Sequence, residues 1–403
     1  KLARTVLADE AQFPDMKTTY AVKSKTWLSF FRNLEMATEP RLSDIVEYLR
    51  KLVTEDSCEH TRDRFETVFE FLKERIETDL QGETDISDEL SEALEELAEL
   101  PWIPIRQNAG DLLCFKSPDV DFAYPGEVYF PRVGQLIASQ AYITVFKQEP
   151  NKRISTAMGF ASKPPLTLVI NHFKEVLAAF SNQITIANEA ALVKGLGQIY
   201  RFFGEGEDTA DIDALEEDVG YQDSDNTSNL KTMFAQVPCI WDQENRCFWK
   251  PDHVFMENVW YMEPWRRTIR ANEKLIESGY EALGRKEQPT VDDWKQVLQE
   301  ISESDKASEE MVIREVVRHI VDELIRLDTA DGEVLVPTRN DKLLPAKGVF
   351  IADAPWYESR LDSWDIPILS SSVSGIFEIQ NALKIPSLAE SVIERLIKDP
   401  LES

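Results

Sequence analysis

The sequence repeats a short pattern, and this repetition limits the possible folds more than any other feature. Each copy has an apolar pair, a few polar residues, a Pro, and then a segment with helical apolar spacing. The copies start at Leu34, Met158 and Leu283, at nearly equal intervals, and a shortened copy starts at Leu383. Repetition at a fixed period is typical of chains built from one recurring structural unit. We therefore predict a succession of similar units.

The residues that follow each Pro predict amphipathic helices. Pro favours the first turn of a helix, while the residue before it is held extended. In the first copy, apolar residues recur at helical spacing; they are Leu42, Ile45, Val46, Leu49 and Leu52. Thr290 and Ser387 are candidate N-caps in the third and fourth copies, and residues 61–80 and 310–327 predict two further helices.

Short β-hairpins are predicted between the helical blocks. Pro-containing runs of strand-like composition cover residues 101–105, 237–241 and 334–338, and Pro suits strand ends and sheet edges. Each run leads through a polar turn to a segment headed by a Pro; these are Pro118, Pro251 and Pro345. We therefore predict a mostly helical α+β fold, in which repeated small antiparallel β-hairpin sheets pack on helical bundles in an elongated, multi-unit arrangement.

Four segments follow from this pattern. Residues 1–157 are predicted to form the first helical and β-hairpin unit, residues 158–282 the second and residues 283–382 the third, while residues 383–403 begin a truncated helical copy. Within the second unit, residues 205–225 contain ten acidic residues and no basic residue. This composition predicts a mobile loop, and a partner-binding acidic segment is the alternative.

The net charge argues against nucleic acid as a partner. The chain has 73 acidic and 44 basic residues, which gives a formal charge of −29. Nucleic-acid binding depends on Lys and Arg that neutralise phosphates. The densest basic group spans residues 265–270, beside Trp260 and Tyr261, and we interpret it as a solvated helix face.

A membrane partner is not predicted either, because no apolar run approaches the roughly 20 residues that a membrane helix needs. The first residues contain neither an initiator Met nor an apolar signal core, so we interpret the start as a cut within a longer chain. Four cysteines without a C-x-x-C motif indicate free thiols in a reducing, cytoplasmic setting. Cys239 and Cys247 flank a predicted turn and are candidates to face each other across a hairpin.

No catalytic residue, cofactor site or metal site is predicted. The four histidines have no second His or Cys at ligand spacing; they are His60, His172, His253 and His319. The chain contains neither the G-x-x-x-x-G-K-[ST] phosphate loop nor the G-x-S-x-G nucleophile elbow. We therefore predict that this chain is not an enzyme.

Several short motifs resemble the repeats of sacsin. Residues 24–34 (SKTWLSFFRNL) are similar to the S-x-x-W-L-x-F-L-R-x-L-G stretch of those repeats, and residues 100–104 (LPWIP) to their L-P-W-I-P strand. Residues 352–357 (ADAPWY) and 381–388 (NALKIPSL) are similar to their N-D-A-P-W … L-G-V-x-S-L close. The motifs occur in the right order across most of the chain, separated by divergent sequence.

The resemblance implies a scaffold region between GHKL-type ATPase modules of a very large chaperone-related protein in protein quality control, or of a distant member of that group. Glu35 and Lys384 stand where these repeats usually have Gly, which leaves the turn geometry there open. We predict a non-catalytic cytoplasmic scaffold that contacts protein partners or clients and neighbouring ATPase modules of the same chain. An ATP-regulated lever that needs the ATPase module, and a cryptic hydrolase, are the alternatives.

Exposed aromatic residues are the candidate partner contacts of such a scaffold. The candidates are Trp260, Tyr261, Trp265, Trp356 and Tyr357. Clustered aromatic side chains are more often buried in a core, so core packing is the alternative for each of them.

Overall fold

The computed structural model describes residues 42–54, 61–82, 87–107, 113–116, 119–161, 163–181, 186–205, 226–304, 310–326, 333–340, 342–353, 366–370 and 376–391. The chain divides into two compact units, Lys1–Asp223 and Ser224–Ser403. Each unit combines mostly helical structure with two-stranded sheets, which confirms the predicted α+β class. The four predicted segments concern sequence repetition and stay a prediction, as does the elongated arrangement.

The first unit begins with helices and continues with short strands. Its elements are α1 (Leu42–Thr54), α2 (Thr61–Gly82), α3 (Asp88–Ala98), β1 (Ile103–Pro104), β2 (Phe122–Ala123), β3 (Val128–Tyr129), α4 (Gly134–Ile137), β4 (Tyr142–Ile143), α5 (Lys152–Ala157), α6 (Leu166–Phe180) and α7 (Ile186–Gly204). Two 3₁₀ turns, Pro125–Glu127 and Pro131–Val133, flank β3.

The second unit repeats this alternation. Its elements are α8 (Asn226–Phe234), β5 (Ile240–Asp242), β6 (Cys247–Trp249), β7 (Val254–Phe255), β8 (Arg267–Thr268), α9 (Lys274–Leu283), α10 (Val291–Glu303), α11 (Glu310–Arg326), β9 (Leu335–Pro337), β10 (Leu343–Pro345), α12 (Ile376–Leu383) and α13 (Leu388–Ser391). Its 3₁₀ turns are Pro251–His253, Trp260–Met262 and Ala346–Gly348.

Helices α1 and α2 confirm the predicted apolar periodicity. All five predicted stripe residues of α1, from Leu42 to Leu52, are buried. Phe69 of α2 is also buried, and its ring stacks on Phe146 with centroids 4.3 Å apart. Full burial of each such side chain contributes about 1.5–3 kcal/mol of transfer free energy. The core of this part of the first unit therefore forms where these two helices cover the aromatic residues of the β region.

Predicted N-caps are also present. Thr290 Oγ1 accepts a hydrogen bond from the Asp293 backbone N–H (3.4 Å), and the Asp293 carboxylate accepts one from the Thr290 backbone N–H (2.8 Å). This reciprocal pair is a capping box. Ser387 Oγ accepts in the same way from the Glu390 backbone N–H at 3.2 Å. Both residues therefore cap the helices that follow them.

One local fold occurs three times among the described residues. It consists of an antiparallel hairpin, a 3₁₀ turn, a short strand, and a later segment that pairs with this strand in parallel. The hairpins are β1–β2, β5–β6 and β9–β10, and they lie at the three predicted runs. The parallel partners are β3–β4, β7–β8 and the Phe350–Ile368 bridge. These parallel pairs were not part of the predicted antiparallel sheets.

Backbone hydrogen bonds match between the three copies. The donors of the returning segment and their acceptors are Thr144 N–H to Tyr129 O, Ile269 N–H to Phe255 O, and Leu369 N–H to Phe350 O. In the first copy the turn begins at Pro125, whereas the sequence pattern indicated Pro118, which lies outside the described residues. The spacing of prolines in the sequence did not show which of these two prolines begins the turn.

A left-handed residue ends the helix before the repeated segment in the three copies that the structure describes there, and Glu35 of the first copy lies outside the described residues. Gly159 has φ +75°, Gly284 has φ +108° and Lys384 has φ +52°. A Cβ built on Gly159 would lie 3.9 Å from Pro125 Cβ, and one on Gly284 would lie 3.6 Å from Pro251 Cβ. The helix end therefore packs on the Pro that heads the 3₁₀ turn in both units. Lys384 keeps the left-handed geometry of the Gly that it replaces in the repeat pattern.

Replacing Lys384 with Gly is expected to raise the free energy of unfolding by about 1 kcal/mol, because a left-handed φ costs roughly that much in a residue with a Cβ. Gly284→Ala should lower it by a similar amount. The built Cβ at Gly284 makes ordinary contacts of 3.6 Å, so the cost comes from φ and not from crowding. Urea denaturation measures both changes, and a loss of stability in Lys384→Gly would contradict this account.

Candidate functional site

Three aromatic rings of the second unit meet at its surface. Trp260 contacts Tyr261, with ring centroids 6.1 Å apart and planes at 88°, and contacts His319 at 5.1 Å and 79°. Tyr261 and His319 lie 5.7 Å apart. Trp260 is 56% exposed, whereas Tyr261 and His319 are half-buried. We call these three residues the aromatic corner.

The backbone under Trp260 is fixed by burial and by hydrogen bonds. The 3₁₀ turn Trp260–Met262 starts after Val259, and both Val259 and Met262 are fully buried in the core of this unit. The Val259 N–H donates to Thr268 Oγ1 at 2.9 Å, and the Trp260 N–H donates to Asn258 Oδ1 at 3.2 Å. The exposed ring therefore extends from a turn that is anchored at both ends.

His319 reaches the corner from α11. Its neighbour Ile320 is fully buried in the same core, which places His319 at the edge of the buried face of the helix. The sequence did not indicate this contact, because periodicity describes α11 alone and His319 is far along the chain from Trp260. No local signal could have found it.

Three charged groups act electrostatically on the Tyr261 hydroxyl. Burial raises the pKa of Tyr261, and the carboxylates of Glu323 and Glu257 raise it further, whereas the interaction with the Trp294 side chain and the charge of Arg326 lower it. Glu323 forms an ion pair with Arg326 along α11, while Glu257 is exposed. Two acidic side chains and one basic side chain therefore contribute to the electrostatic potential at the aromatic corner.

The basic group next to the corner is not the solvated helix face that we predicted. Arg267 and Thr268 form β8, and Arg266 is fully buried. The Arg266 guanidinium donates to both carboxylate oxygens of Glu300, at 2.9 and 3.1 Å. The pattern of bases was mistaken for a helix face because the partner acid lies on α10, 34 residues away.

Arg267 is likewise neutralised within the second unit. Its guanidinium donates to Asp242 at 3.1 Å and to Glu263 at 2.8 Å, and it also contacts Glu244. Arg270 is exposed, and its Nε donates to the Met256 carbonyl at 2.7 Å. Two of the three arginines therefore serve to join strand, turn and helix.

The predicted contact residues divide into two groups. Trp260 and Tyr261 form the corner, with Tyr261 also packed against the core. Trp265 is partly buried against the same core, in line with the packing alternative. Trp356 and Tyr357 lie outside the described residues.

A Ser–His pair in the first unit is the strongest feature of an enzymatic kind. Ser139 Oγ lies 2.8 Å from His172 Nδ1, and the Ser139 backbone N–H donates to the same nitrogen at 3.3 Å. Nδ1 therefore accepts, and Nε2–H donates to the Gln135 carbonyl at 3.1 Å. In a hydrolytic triad a carboxylate orients the far ring nitrogen, and here a backbone carbonyl takes that position.

Burial makes His172 a weak base. Its side chain is fully buried, and this burial lowers its pKa to about 4, although the Gln135 hydrogen bond and the charge of Glu175 act in the opposite direction. A general base works best with a pKa near the operating pH. We interpret the Ser139–His172 pair as a hydrogen-bonded element of the core.

The described cysteines are free thiols. Burial raises the pKa of Cys239, and Cys114 and Cys247 are half-buried. Cys247 lies opposite Asp242 in the hairpin register, so Cys239 and Cys247 do not face each other as we predicted. The turn sequence alone did not show which residue of the first strand lies opposite Cys247. Cys58 lies outside the described residues.

Clusters of metal ligands and membrane-spanning helices are both absent from the described ranges. Across the described part of the chain, no group of three or more His, Cys, Asp or Glu side chains is arranged to hold a metal ion. None of the helices described above is both long enough and apolar enough to span a bilayer.

Comparison with protein-family models, with curated proteins and with solved structures gave no match. The aromatic corner is the candidate functional site of the described residues, because it combines an exposed Trp with a rigid support.

Proposed function

We propose that this chain is a non-catalytic scaffold that contacts protein partners or clients through the aromatic corner. In this proposal it is a segment of a sacsin-like, chaperone-related protein of the cytoplasm, joined to ATPase modules of the same chain. The observation that carries the proposal is the 56% exposure of Trp260 on an otherwise anchored turn.

The physical chemistry of interfaces supports a contact role for this ring. Trp and Tyr dominate the energetics of protein interfaces, because each buries a large apolar area with few rotatable bonds. A side chain that is already held in place loses less entropy on binding. Trp260 meets both conditions, since His319 and Tyr261 contact its ring and the Asn258 side chain holds its backbone.

The recurring module supports the scaffold part of the proposal. The same sequence of hairpin, 3₁₀ turn and parallel strand occurs in both units, and Lys384 adopts the left-handed geometry of a repeat Gly. A chain built from repeated packing units can hold other modules at a fixed distance and can present surface to partner proteins. The free thiols are compatible with the reducing compartment that the proposal assumes.

Substitution of Trp260 with Ala is expected to weaken client contact at least threefold. The measurement is suppression of heat-induced aggregation of a standard client enzyme, followed by light scattering with the full 403-residue chain at increasing molar ratios. Val120→Ala is the matched control, because Val120 is also an exposed apolar residue (47%) but lies in the first unit.

Thermal melts of both variants should match that of the parent chain, since neither residue is in the core. The proposal is contradicted if the parent chain does not suppress aggregation, or if both variants suppress it as well as the parent does.

A further inference from the structure

We infer that the aromatic corner binds an arginine side chain from a basic, extended segment of the partner protein. This inference rests on the proposed function and adds the chemistry of the partner. An arginine guanidinium is planar and weakly hydrated, so it stacks on aromatic faces and pairs with carboxylates at the same time. The corner offers both kinds of contact.

The second unit already contains this arrangement in its interior. The Arg285 guanidinium lies over the ring of Tyr280, 5.4 Å from the centroid. Arg285 also forms an ion pair with Glu277 and lies 3.7 Å from a carboxylate oxygen of Glu281. A ring flanked by acidic side chains is therefore a guanidinium site in this fold.

The aromatic corner presents the same elements toward solvent. Its rings are supplied by Trp260 and Tyr261. Glu257 is an exposed residue just before Trp260 in the chain, and Glu323 lies one helical turn after His319 on α11. Both carboxylates act on the Tyr261 hydroxyl, while the Trp294 side chain and Arg326 act on it in the opposite direction. Within the described residues no ammonium or guanidinium lies over the Trp260 ring. The position that Arg285 takes over Tyr280 is thus open at Trp260 to an external cation.

The charge of the chain favours a basic partner. A formal charge of −29 attracts cationic segments and repels acidic ones, which raises encounter rates at low ionic strength. The local excess of acids near Tyr261 has the same sign as the overall charge.

An apolar helix is a poorer fit to this surface. Among the described residues of the second unit, the large apolar side chains that are exposed are Trp260 and Leu275. An amphipathic helix needs a groove that receives several apolar side chains in register. A single ring beside carboxylates matches one cationic side chain better.

The test uses the full chain labelled with 5-fluorotryptophan and observed by ¹⁹F NMR. The chain contains nine Trp residues, and the signal that is lost in Trp260→Phe is that of Trp260. The probes are a Gly/Ser-spaced peptide with five arginines, the same peptide with citrulline at those positions, and the same peptide with leucine. Citrulline keeps the shape of arginine and removes its charge.

The Trp260 signal is expected to shift saturably when the arginine peptide is added. The chain should bind the citrulline peptide at least fivefold more weakly than the arginine peptide. Affinity should also fall severalfold between 50 and 300 mM NaCl, on the order expected from screening of exposed charges. The double substitution Glu257→Gln, Glu323→Gln should weaken binding about three- to tenfold, because it removes both carboxylates that act at the corner. Glu95→Gln, an exposed acid of the first unit, is the matched control and should leave binding unchanged.

Three outcomes would overturn the inference: no shift of Trp260 with the arginine peptide, an equal shift with citrulline, or equal binding by the Glu257→Gln, Glu323→Gln variant. If the leucine peptide shifts Trp260 while the arginine peptide does not, the partner-contact function stands and the basic partner fails. If client protection is independent of Trp260 while the arginine peptide still shifts it, the proposed function fails and the cation site stands.

Discussion

Replacing Glu300 with Ala is expected to lower the free energy of unfolding of the second unit by about 3 kcal/mol, the typical cost of breaking a buried ion pair. The cost arises at Arg266, which is 0% exposed and donates two hydrogen bonds to Glu300. Without that carboxylate, the guanidinium charge stays buried with one acceptor, the Trp265 carbonyl at 2.9 Å.

A matched control is available in the same unit. The ion pair of Lys347 with Glu333 has both side chains more than half exposed, and exposed pairs contribute roughly 0–1 kcal/mol. Glu333→Ala should therefore cost less than about 1 kcal/mol. Urea denaturation, followed by tryptophan fluorescence, gives both values.

A double substitution separates the charge from the packing. Arg266→Met with Glu300→Leu removes both charges and keeps most of the volume, and such apolar replacements are often neutral. Arg266 Nε is buried and has no hydrogen-bond partner within the described residues. The substitution with Met therefore also removes one buried, unsatisfied hydrogen-bond donor. The double variant should recover most of the stability that Glu300→Ala loses. Equal losses in Glu300→Ala and Glu333→Ala would show that the buried pair is not the cause.

The same arginine shows which parts of the fold could be predicted from sequence. The stripe from Leu42 to Leu52 is a local property, because residues three and four apart share a helix face, and it was found correctly. The Thr290 cap is local too. Arg266 was misplaced because its burial depends on Glu300, and no spacing rule connects a residue just before a short strand with an acid on a later helix.

The candidate site follows the same division. Trp260 and Tyr261 are adjacent in sequence and were selected together, but their exposure depends on how the turn is anchored by Thr268 and on the approach of α11. His319 enters the site through that packing. The position of the repeated turn at Pro125 was missed for a related reason, since backbone pairing, and not the presence of Pro, decides which residue begins it.

Acidification from pH 6.5 to pH 4 is expected to remove about 3 kcal/mol from the stability of the first unit through His172. The folded-state pKa of His172 is about 4, against about 6.5 in an unfolded chain. Between these values the unfolded state binds a proton that the folded state does not, so stability falls as the pH falls. Each pKa unit corresponds to about 1.4 kcal/mol.

The variant His172→Gln isolates this contribution. Gln does not titrate, so its unfolding free energy should lack the loss between pH 6.5 and 4, even if its stability at pH 7 is lower than that of the parent chain. Glu175 faces His172 from the same helix and raises its pKa, so Glu175→Gln should lower that pKa and extend the sensitive range downward. The carboxyl groups of Asp79 and Asp119 in this unit have lowered pKa values, so their contribution to stability is lost mainly as the pH falls below their ordinary pKa of 3.8.

The pH dependence also tests the interpretation of the Ser139–His172 pair. Neutral His172 donates a hydrogen bond to the Gln135 carbonyl and accepts one from the Ser139 backbone N–H. Protonation places a hydrogen on Nδ1, so that this nitrogen becomes a donor and the hydrogen bond from the Ser139 N–H is lost. Loss of stability on protonation is the behaviour of a core residue. Parallel stability curves for the parent chain and His172→Gln across pH 4 to 6.5 would instead show that the imidazole is protonated at no cost, and His172 would then have to be reconsidered as a titrating, functional group.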